Sequence, residues 1–386
     1  MSRRVLFISP ALPLPFGGAD SRWQHVVLSR LPQRGYDVTC LTVSDGHGAT
    51  VDAAKAASVE QGWRFVHVPV QVPRTFRRRL GTLVDPWSHV RFAPGVLPAL
   101  AELDPASYDV VHIEHLFTTW LGRGLPNAVT YLHHLEYVDW EERTRLSPRD
   151  RWAYMQMYRA TRRLLRVTPR SIAATERIAD DAVRLGARTR PPVVPVALDL
   201  SLYDELPAVS DPVVGVIGTM FWYPSLTAAQ RVIERLWPRI RAEVPEAVLL
   251  VAGRGAEQFL GSYFPLEGAE LLGEVEHPTD FFRRPAVLLY PPPRGSGVKI
   301  KVIEAMAYGV PVVSNREGLE GVSCDGCVLR AESDDEIVSS VVALLRDPAR
   351  RAAMRTHART YVEAEFGADQ AVDRLLSAYR TVGLST

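Results

Sequence analysis

The sequence predicts an α/β protein with two domains, each built on a parallel β-sheet covered by helices on both faces. Short apolar runs rich in β-branched residues alternate with longer stretches of helical periodicity, which is typical of parallel sheets. This pattern stops at a proline-rich segment, PPVVPVAL at 191–198, and then starts again. The chain has 386 residues, which is too long for one ordinary hydrophobic core. We therefore expect a first domain at 1–196 and a second from 197 onwards.

The first domain is predicted to have six strands and a glycine pair at its first strand-to-helix junction. Gly17 and Gly18 precede a helical pattern at Asp20–Arg34, and ligand sites form at such junctions. The spacing is not G-x-G-x-x-G, which disfavours a dinucleotide site. A long arginine-rich helix is predicted at Arg143–Arg166. The predicted strands are Arg4–Pro10, Asp37–Val43, Trp63–Val70, Tyr108–His115, Ala128–His134 and Arg170–Thr175.

The second domain repeats the alternation, with glycine turns after its first two strands. Gly218-Thr219 ends one strand, and Gly253-Arg254-Gly255 ends the next. Ligands bind at the carboxyl edge of such sheets, so the two domains imply a cleft between their sheet edges. The predicted strands are Val213–Gly218, Ala247–Ala252, Glu270–Val275, Ala286–Tyr290 and Val310–Ser314, and the predicted helices are Ser225–Glu243, Ser333–Arg346, Ala349–Glu365 and Ala368–Val382.

One stretch of the second domain combines a glycine loop with cations at a helix start. Gly295-Ser296-Gly297 allows close approach of the backbone to a ligand. Lys299 and Lys301 follow in the first helical turn, where the helix dipole disfavours cations unless an anion is bound. Glu304 lies on the same face as Lys301 and can accept hydrogen bonds from a ribose. A solvated Lys/Glu face is the alternative, but the combined features favour a phosphate site.

Composition limits the class of protein and its surroundings. A net charge of +1 argues against general nucleic-acid binding, and no apolar run reaches the roughly 18 residues of a membrane span. Three cysteines indicate a reducing cytoplasm, with Cys324 and Cys327 as two small residues of a turn. The segment at 73–92, with basic residues from Arg74 to Arg91, is either a solvated loop or a patch for an anionic acceptor or a membrane surface.

Several motifs together resemble the retaining glycosyltransferases of family 4, which have the two-domain GT-B fold of Rossmann-like domains. The motifs are the N-terminal glycine turn, YLHHLEYVDWEER, AVLLVAGRG, ELLGEVEHPTDFF and GSGVKIKVIEAMAYGVPVVS. The resemblance covers most of the chain in the family's order. It implies transfer of a sugar from a UDP- or GDP-sugar to a glycan, lipid-linked or small-molecule acceptor. It also implies donor binding by 197–368 and a last helix, about 369–386, that packs back on the first domain.

The resemblance implies roles for individual residues. Glu304 would bind the ribose, Lys301 and Lys299 the diphosphate, and His133 the donor sugar. The family's usual asparagine is His134 here, and its common second glutamate is Ser296. The donor-binding positions implied are Gly17, Gly18, Gly218, Thr219, Arg254, Gly295, Ser296, Gly297, Val298, Lys299 and Ile300, with His133, Lys301 and Glu304 as the catalytic set.

The sequence also predicts a reaction without metal or cofactor. The pair Asp180-Asp181 lies in a helical pattern and not at a strand end, so no Asp-x-Asp metal motif is expected. Lysines and helix N–H groups can stabilise the leaving diphosphate themselves. Two alternatives stay open, a nucleotide-sugar epimerase on the same fold and a non-catalytic nucleotide-sugar-binding protein. Transfer that needs an acceptor, isomerisation of the donor alone, or binding without turnover would distinguish the three.

Overall fold

A computed structural model describes residues 3–70, 95–141, 143 and 147–385. The basic segment at 73–92, and with it the predicted acceptor or membrane patch, lies outside the described residues. The chain forms two compact units, which are Met1–Asp199 with Ala368–Thr386 (unit 1) and Leu200–Gly367 (unit 2). Within the described ranges, no helix is long and apolar enough to cross a membrane.

Unit 1 contains a six-stranded parallel sheet in the order β3-β2-β1-β4-β5-β6. The order reverses between β1 and β4, and ligands bind outside the carboxyl ends of strands at such a point. The strands are β1 (Arg3–Ser9), β2 (Tyr36–Ser44), β3 (Arg64–Pro69), β4 (Val110–Glu114), β5 (Ala128–Leu132) and β6 (Ser171–Ala173).

The helices of unit 1 cover both faces of this sheet and include the C-terminal helix of the chain. Arg34 on the β1–β2 connection pairs with Asp369 and Asp373 of that C-terminal helix, which fixes the helix to unit 1. The helices are α1 (Ala19–Arg30), α2 (Ala49–Gln61), α3 (Val96–Leu103), α4 (Glu136–Glu141), α5 (Pro148–Val167), α6 (Glu176–Leu185) and α14 (Ala368–Thr381), with 3₁₀ turns at Pro32–Arg34, Pro105–Ser107 and Leu116–Gly122.

Several helices of unit 1 differ from the sequence-based expectation, and α5 and α2 illustrate why. Helix α5 begins at Pro148 and not at Arg143, because the Ser147 hydroxyl caps it by accepting a hydrogen bond from the Asp150 N–H at 3.1 Å. Helix α2 was not predicted. Only Ala54 and Ser58 of this helix are buried, so it lacks the apolar periodicity from which helices are recognised.

Unit 2 contains a second six-stranded parallel sheet in the order β12-β11-β10-β7-β8-β9. The sequence had predicted all of these strands except β12, a three-residue edge strand with no apolar alternation. The two sheets confirm the predicted α/β class. The strands are β7 (Val213–Ile217), β8 (Val248–Ala252), β9 (Ala269–Gly273), β10 (Val287–Tyr290), β11 (Val312–Ser314) and β12 (Val328–Arg330).

The helices of unit 2 include the predicted helix after the glycine loop. The helix predicted at Ser225–Glu243 is continuous but contains a π-helical turn at Val232–Leu236. Buried apolar residues of α12 and of the helix after β7, such as Val341 and Ile233, share one core with the strands. The helices are α7 (Tyr223–Arg231), α8 (Trp237–Glu243), α9 (Ala256–Leu260), α10 (Pro278–Phe282), α11 (Ile300–Ala307), α12 (Asp334–Arg346) and α13 (Pro348–Glu365), with 3₁₀ turns at Leu200–Leu202 and Gly261–Tyr263.

The cysteine pair corrects one expectation. Cys324 and Cys327 are joined by a disulfide, whereas the sequence suggested two unlinked small residues. The turn that contains Gly326, at a φ of 79°, brings their Cα atoms to 5.5 Å, which is the usual separation for a disulfide. Cys40 is the free, buried cysteine of unit 1.

Candidate functional site

The glycine loop that precedes α11 is held in place by its neighbours. Gly297 has a φ of 82°, and the buried Lys299 ammonium donates to the carbonyls of Ser296 and Gly297 at 3.1 and 2.5 Å. The Gly295 N–H donates to the Glu317 carboxylate at 3.2 Å. Asn315 donates from its amide to the Pro292 carbonyl at 2.7 Å. The loop is therefore fixed at both ends before any ligand binds.

Lys301, in the first turn of α11, points its ammonium toward the start of α7. Its Nζ donates to the Ser225 hydroxyl at 2.6 Å and lies 4.1 Å from the centre of the Tyr290 ring. The Trp222 ring is 5.6 Å from the same nitrogen. Burial and the nearby charge of Lys299 lower the pKa of Lys301 to about 7. An anion bound beside Lys301 would therefore stabilise the charged form of this lysine.

Glu304 lies one turn further along α11. It is 5% exposed, and its Oε1 accepts a hydrogen bond from the Tyr203 hydroxyl at 3.2 Å. Tyr203 follows the 3₁₀ turn at Leu200–Leu202 and was not singled out from the sequence. The structure thus places the predicted ribose-binding carboxylate and the predicted phosphate-binding lysine on one helix, within unit 2.

Glycines at the ends of β7 and β8 leave room for this lysine. A methyl group at Gly218 would lie 2.8 Å from the Lys301 Nζ and 2.9 Å from the Ser225 hydroxyl. Gly253 has a φ of 123°, and a Cβ there would overlap the Gly218 carbonyl. The Arg254 carbonyl accepts from the Met220 N–H at 2.8 Å, while the Arg254 side chain is exposed. Glycine is therefore required at 253, and a side chain at 218 would displace the Lys301 ammonium or the Ser225 hydroxyl.

Three further positions predicted to bind the donor are Thr219, Val298 and Ile300. Thr219 is partly buried, and its carbonyl accepts from the Trp222 N–H at 3.1 Å. Val298 is partly buried in the glycine loop, and Ile300 is 7% exposed at the first position of α11. Val298 and Ile300 lie on either side of Lys299 along the chain.

In unit 1, a fully buried carboxylate organises the carboxyl end of β4. Glu114 Oε1 accepts from Trp23 Nε1 at 3.0 Å and lies 2.8 Å from His112 Nε2, and Oε2 is hydrogen-bonded to His133 Nε2. Burial alone would raise the pKa of Glu114, but the histidines lower it to about 2. The Tyr379 hydroxyl of α14 bonds His112 Nδ1 at 2.7 Å, which extends the network to the C-terminal helix.

His133 lies at the end of this network and near the glycine pair. Burial lowers the pKa of His133, so a neutral imidazole is favoured, and its ring centre is 4.5 Å from that of His115. His115 Nε2 lies 3.4 Å from the Asp20 carboxylate in the first turn of α1. Gly18 caps that helix, and a Cβ at Gly17 would lie 2.6 Å from Ser21.

The structure therefore separates the predicted site residues into two groups, each at the carboxyl edge of its own sheet. Gly17, Gly18 and His133 lie in unit 1, and all the others lie in unit 2. Sequence reasoning missed Glu114, although a signal was present. A carboxylate in an apolar strand that is buried along its whole length has to be paired. It also missed the supporting residues Trp23, Asp20, Tyr203 and Ser225.

Comparison with solved structures defines the fold. HepE of Anabaena, solved with UDP and glucose, matches with a TM-score of 0.68 at 14% identity over 98% of this chain and 99% of that chain. Sucrose-phosphate synthase of Thermosynechococcus elongatus matches with a TM-score of 0.71 at 16% identity, over 98% and 99% of the two chains. The glycosyltransferase WaaG matches with a TM-score of 0.62 at 17% identity, over 96% and 98%. The fold is that of the GT-B glycosyltransferases.

Family models identify the chain more narrowly. The model described as Glycosyltransferase Family 4 matches residues 21–202, and the model described as Glycosyl transferases group 1 matches residues 211–347. The chain belongs to this family and is a glycosyltransferase. It is 29% identical over 353 residues to D-inositol 3-phosphate glycosyltransferase 1 of Catenulispora acidiphila, covering 82% of this chain and 80% of that relative.

A second curated relative matches a shorter part of the chain. It is the GDP-mannose-dependent monoacylated alpha-(1-6)-phosphatidylinositol monomannoside mannosyltransferase of Corynebacterium glutamicum. The identity is 30% over 157 residues, which are 36% of this chain and 40% of that relative.

Proposed function

We propose that the protein transfers a hexosyl group, with retention at the anomeric carbon, from a UDP- or GDP-sugar to an acceptor hydroxyl without a metal. The observation that carries this proposal is the position of Lys301. Its partly buried ammonium lies between Ser225 and Tyr290, beside a fixed glycine loop and the start of α11. Lysine, helix N–H groups and a close backbone approach together suit a diphosphate.

Breaking the bond between sugar and diphosphate leaves negative charge on the diphosphate oxygens. Fixed cations and N–H dipoles that point at this charge stabilise the transition state more than the ground state. Lys301 has a pKa of about 7 in the free protein, and a bound diphosphate would raise it and hold the lysine charged. Lys299 bonds the loop carbonyls and supports the same site through the loop.

Glu304 is proposed to select the nucleoside part of the donor. It is buried, its Oε1 accepts a hydrogen bond from the Tyr203 hydroxyl, and a carboxylate can accept several hydrogen bonds, which suits the hydroxyls of a ribose. The similar proteins suggest two candidate nucleobases for the donor. HepE was solved with UDP, whereas the relative of Corynebacterium glutamicum is named as GDP-mannose-dependent. UDP- and GDP-sugars are therefore the first donors to test.

His133 is proposed to contact the donor sugar. Ionised Glu114 holds the Nε2–H of His133, so Nδ1 is the nitrogen left to accept a hydrogen bond from a sugar hydroxyl. No protein nucleophile is assigned, in line with front-face attack in which the leaving phosphate takes the acceptor proton. The acceptor is proposed to be a polyol, glycan or lipid-linked hydroxyl, because the relatives are named for an inositol phosphate and a phosphatidylinositol mannoside.

The test is a panel of UDP-, GDP-, ADP- and TDP-sugars with the wild-type protein and two variants. A ligand that binds the folded state raises the melting temperature. We expect one nucleotide to stabilise wild type and Lys55→Met, since Lys55 is exposed on α2, but not Lys301→Met. Release of nucleotide only with an inositol phosphate or a glycan acceptor would support transfer. Isomerisation of the donor alone would instead identify an epimerase, and binding without turnover a binding protein.

A further inference from the structure

Three potential metal ligands converge at the carboxyl edge of the unit 1 sheet, beside the residues assigned to sugar transfer. His115 follows β4, His134 follows β5, and Glu136 begins α4. One ligand atom of each residue lies within 4.8 Å of those of the other two. The distance from His134 Nε2 to Glu136 Oε1 is 3.7 Å. Two imidazoles and one carboxylate are therefore gathered from three different elements of the fold.

The polar atoms of this cluster lack hydrogen bonds within the described part of the chain. His115 Nε2 and both Glu136 carboxylate oxygens are buried and have no hydrogen-bond partner there. His115 is only 6% exposed, and Asp20 at 3.4 Å is an ion-pair neighbour beyond good hydrogen-bond range. Buried polar atoms without partners are costly and are rare in native proteins. These three atoms therefore keep lone pairs with which they could bind a cation.

The backbone at His115 gives a second indication. His115 has a φ of 68° and a ψ of 146°, which a residue with a Cβ rarely adopts. Such conformations persist where the surrounding structure requires them, and they are concentrated at binding sites. In this conformation, the centre of the His115 ring lies 5.7 Å from that of the His134 ring.

We propose that His115, His134 and Glu136 bind one Zn²⁺ ion. Two imidazole nitrogens and a carboxylate are preferred by Zn²⁺, whereas Mg²⁺ and Ca²⁺ prefer oxygen ligands. A tetrahedral Zn²⁺ places its ligand atoms about 3.3 Å apart, so the cluster has to contract on binding. His134, whose side chain is 31% exposed, has the freedom to rotate inward. Water or Asp20 would fill the fourth position.

The charge around the cluster favours a cation. Glu136 is a member of the cluster, and the Asp20 carboxylate lies 3.4 Å from His115 Nε2. The cluster lies in unit 1, where the His115 ring centre is 4.5 Å from that of His133, the residue proposed to contact the donor sugar. No step of the transfer is assigned to Zn²⁺.

The experiment measures metal binding directly, without sugar or nucleotide. Metal-free protein is titrated with Zn²⁺ by calorimetry, and the visible absorption of Co²⁺ reports the coordination geometry. We expect one Zn²⁺ per chain and a tetrahedral Co²⁺ spectrum. His134→Asn and Glu136→Gln should each weaken Zn²⁺ binding by more than tenfold. His47→Asn is the matched control, because His47 is an exposed histidine of the same unit outside the cluster.

Two results would overturn the proposal. One is no stoichiometric Zn²⁺ binding by the wild-type protein, and the other is unchanged binding in both cluster variants. Equal urea midpoints for the variants and the wild type would show that a loss of binding is not a loss of folding. Because the readout is binding of the metal alone, failure here leaves the proposed sugar transfer untouched, and failure of transfer leaves the zinc site untouched.

Discussion

The carboxyl edges of the two sheets have the same architecture but opposite chemistry. In unit 1 the edge carries Glu114 and Asp20 with histidines around them. In unit 2 the edge carries Lys299 and Lys301 at a glycine loop. Each sheet has six parallel strands and an order that reverses at the centre. The topology thus provides two equivalent positions for a ligand, and the side chains decide which ligand each position suits.

The two edges also differ in how far their charged side chains already have partners of opposite charge. Glu114 already has three partners, so the unit 1 edge holds its histidines in fixed positions. At the unit 2 edge, burial and then the nearby Lys299 ammonium lower the pKa of Lys301. The first arrangement orients a group, and the second is stabilised by adding an anion. This contrast is the physical basis for assigning the diphosphate to unit 2 and the sugar to unit 1.

Lys301→Met should have the largest effect on activity. Removing the cation that is proposed to face the diphosphate is expected to lower the transfer rate by about 10²–10³-fold, as for other groups that stabilise charge in a transition state. Steady-state rates of nucleotide release measure this loss. Lys55→Met should transfer sugar at the wild-type rate. Equal rates in Lys301→Met and wild type would remove the distinction between the two edges.

The same substitution should stabilise the protein without ligand at neutral pH. The pKa of Lys301 is about 7 in the folded state, against 10.5 ordinarily, so the cost of burying the charge is fully present below pH 7. Between pH 7 and 10.5 the unfolded chain binds more protons, and wild-type stability rises with pH. Urea unfolding should show Lys301→Met more stable by about 4 kcal/mol at pH 7, with the gap closing toward pH 10. If Lys301→Met were less stable than wild type at pH 7, burial of the ammonium would not be destabilising as stated.

Glu114→Gln should have the opposite effect on stability. The pKa of Glu114 is about 2 in the folded state, against 4.5 ordinarily, so its contribution is complete above pH 4.5 and is lost as the pH falls toward 2. The variant should lose about 3 kcal/mol of the free energy of unfolding at pH 7, and less as the pH is lowered below 4.5. A constant difference across this range would show that the carboxylate charge is not the cause.

His133→Gln should reduce transfer while leaving nucleotide binding unchanged. The glutamine has the size to fill the site, but the hydrogen bond proposed for the sugar is lost. We expect a fall of about 100-fold in kcat with an unchanged Kd for the nucleoside diphosphate. Single-turnover kinetics and calorimetry measure the two quantities separately. If kcat and the affinity for the nucleoside diphosphate both fell, His133 would take part in nucleotide binding. The two units would then not differ in the way proposed.

Tyr203→Phe should have the smallest effect. The variant loses one hydrogen bond to Glu304, which is worth about 1 kcal/mol, or roughly a fivefold rise in KM for the donor. The ring stays against Tyr308, whose centre is 5.1 Å away, so the core is preserved. An effect as large as that of Lys301→Met would mean that Tyr203 contacts the donor itself.

The sequence predicted most strands because their buried apolar runs are continuous. It missed β12 and α2 since neither buries a regular apolar face. At the candidate site, Lys301 and Glu304 could be singled out because the glycine loop and the charges are adjacent in sequence. A further signal was available there, because the chain has three lysines, 55, 299 and 301, among 45 lysine and arginine residues. Two of the three at one helix start indicate a specific need for ammonium groups.

Long-range partners could not be predicted in the same way. Glu114 and Tyr379 are 265 positions apart and meet through His112, which requires knowledge of how α14 returns to β4. The contact of Lys301 with Ser225 depends on Gly218 leaving space between two strand ends. Patterns in a single sequence show periodicity and local spacing, but they do not show which distant side chains come into contact.

The most direct test of the account is calorimetric titration of UDP and GDP into wild type, Lys301→Met and His133→Gln. The account predicts that one nucleotide binds wild type and His133→Gln with the same affinity, and that Lys301→Met binds it at least about tenfold more weakly. Loss of binding in His133→Gln with full binding in Lys301→Met would contradict the assignment of the nucleotide to the lysine edge of unit 2.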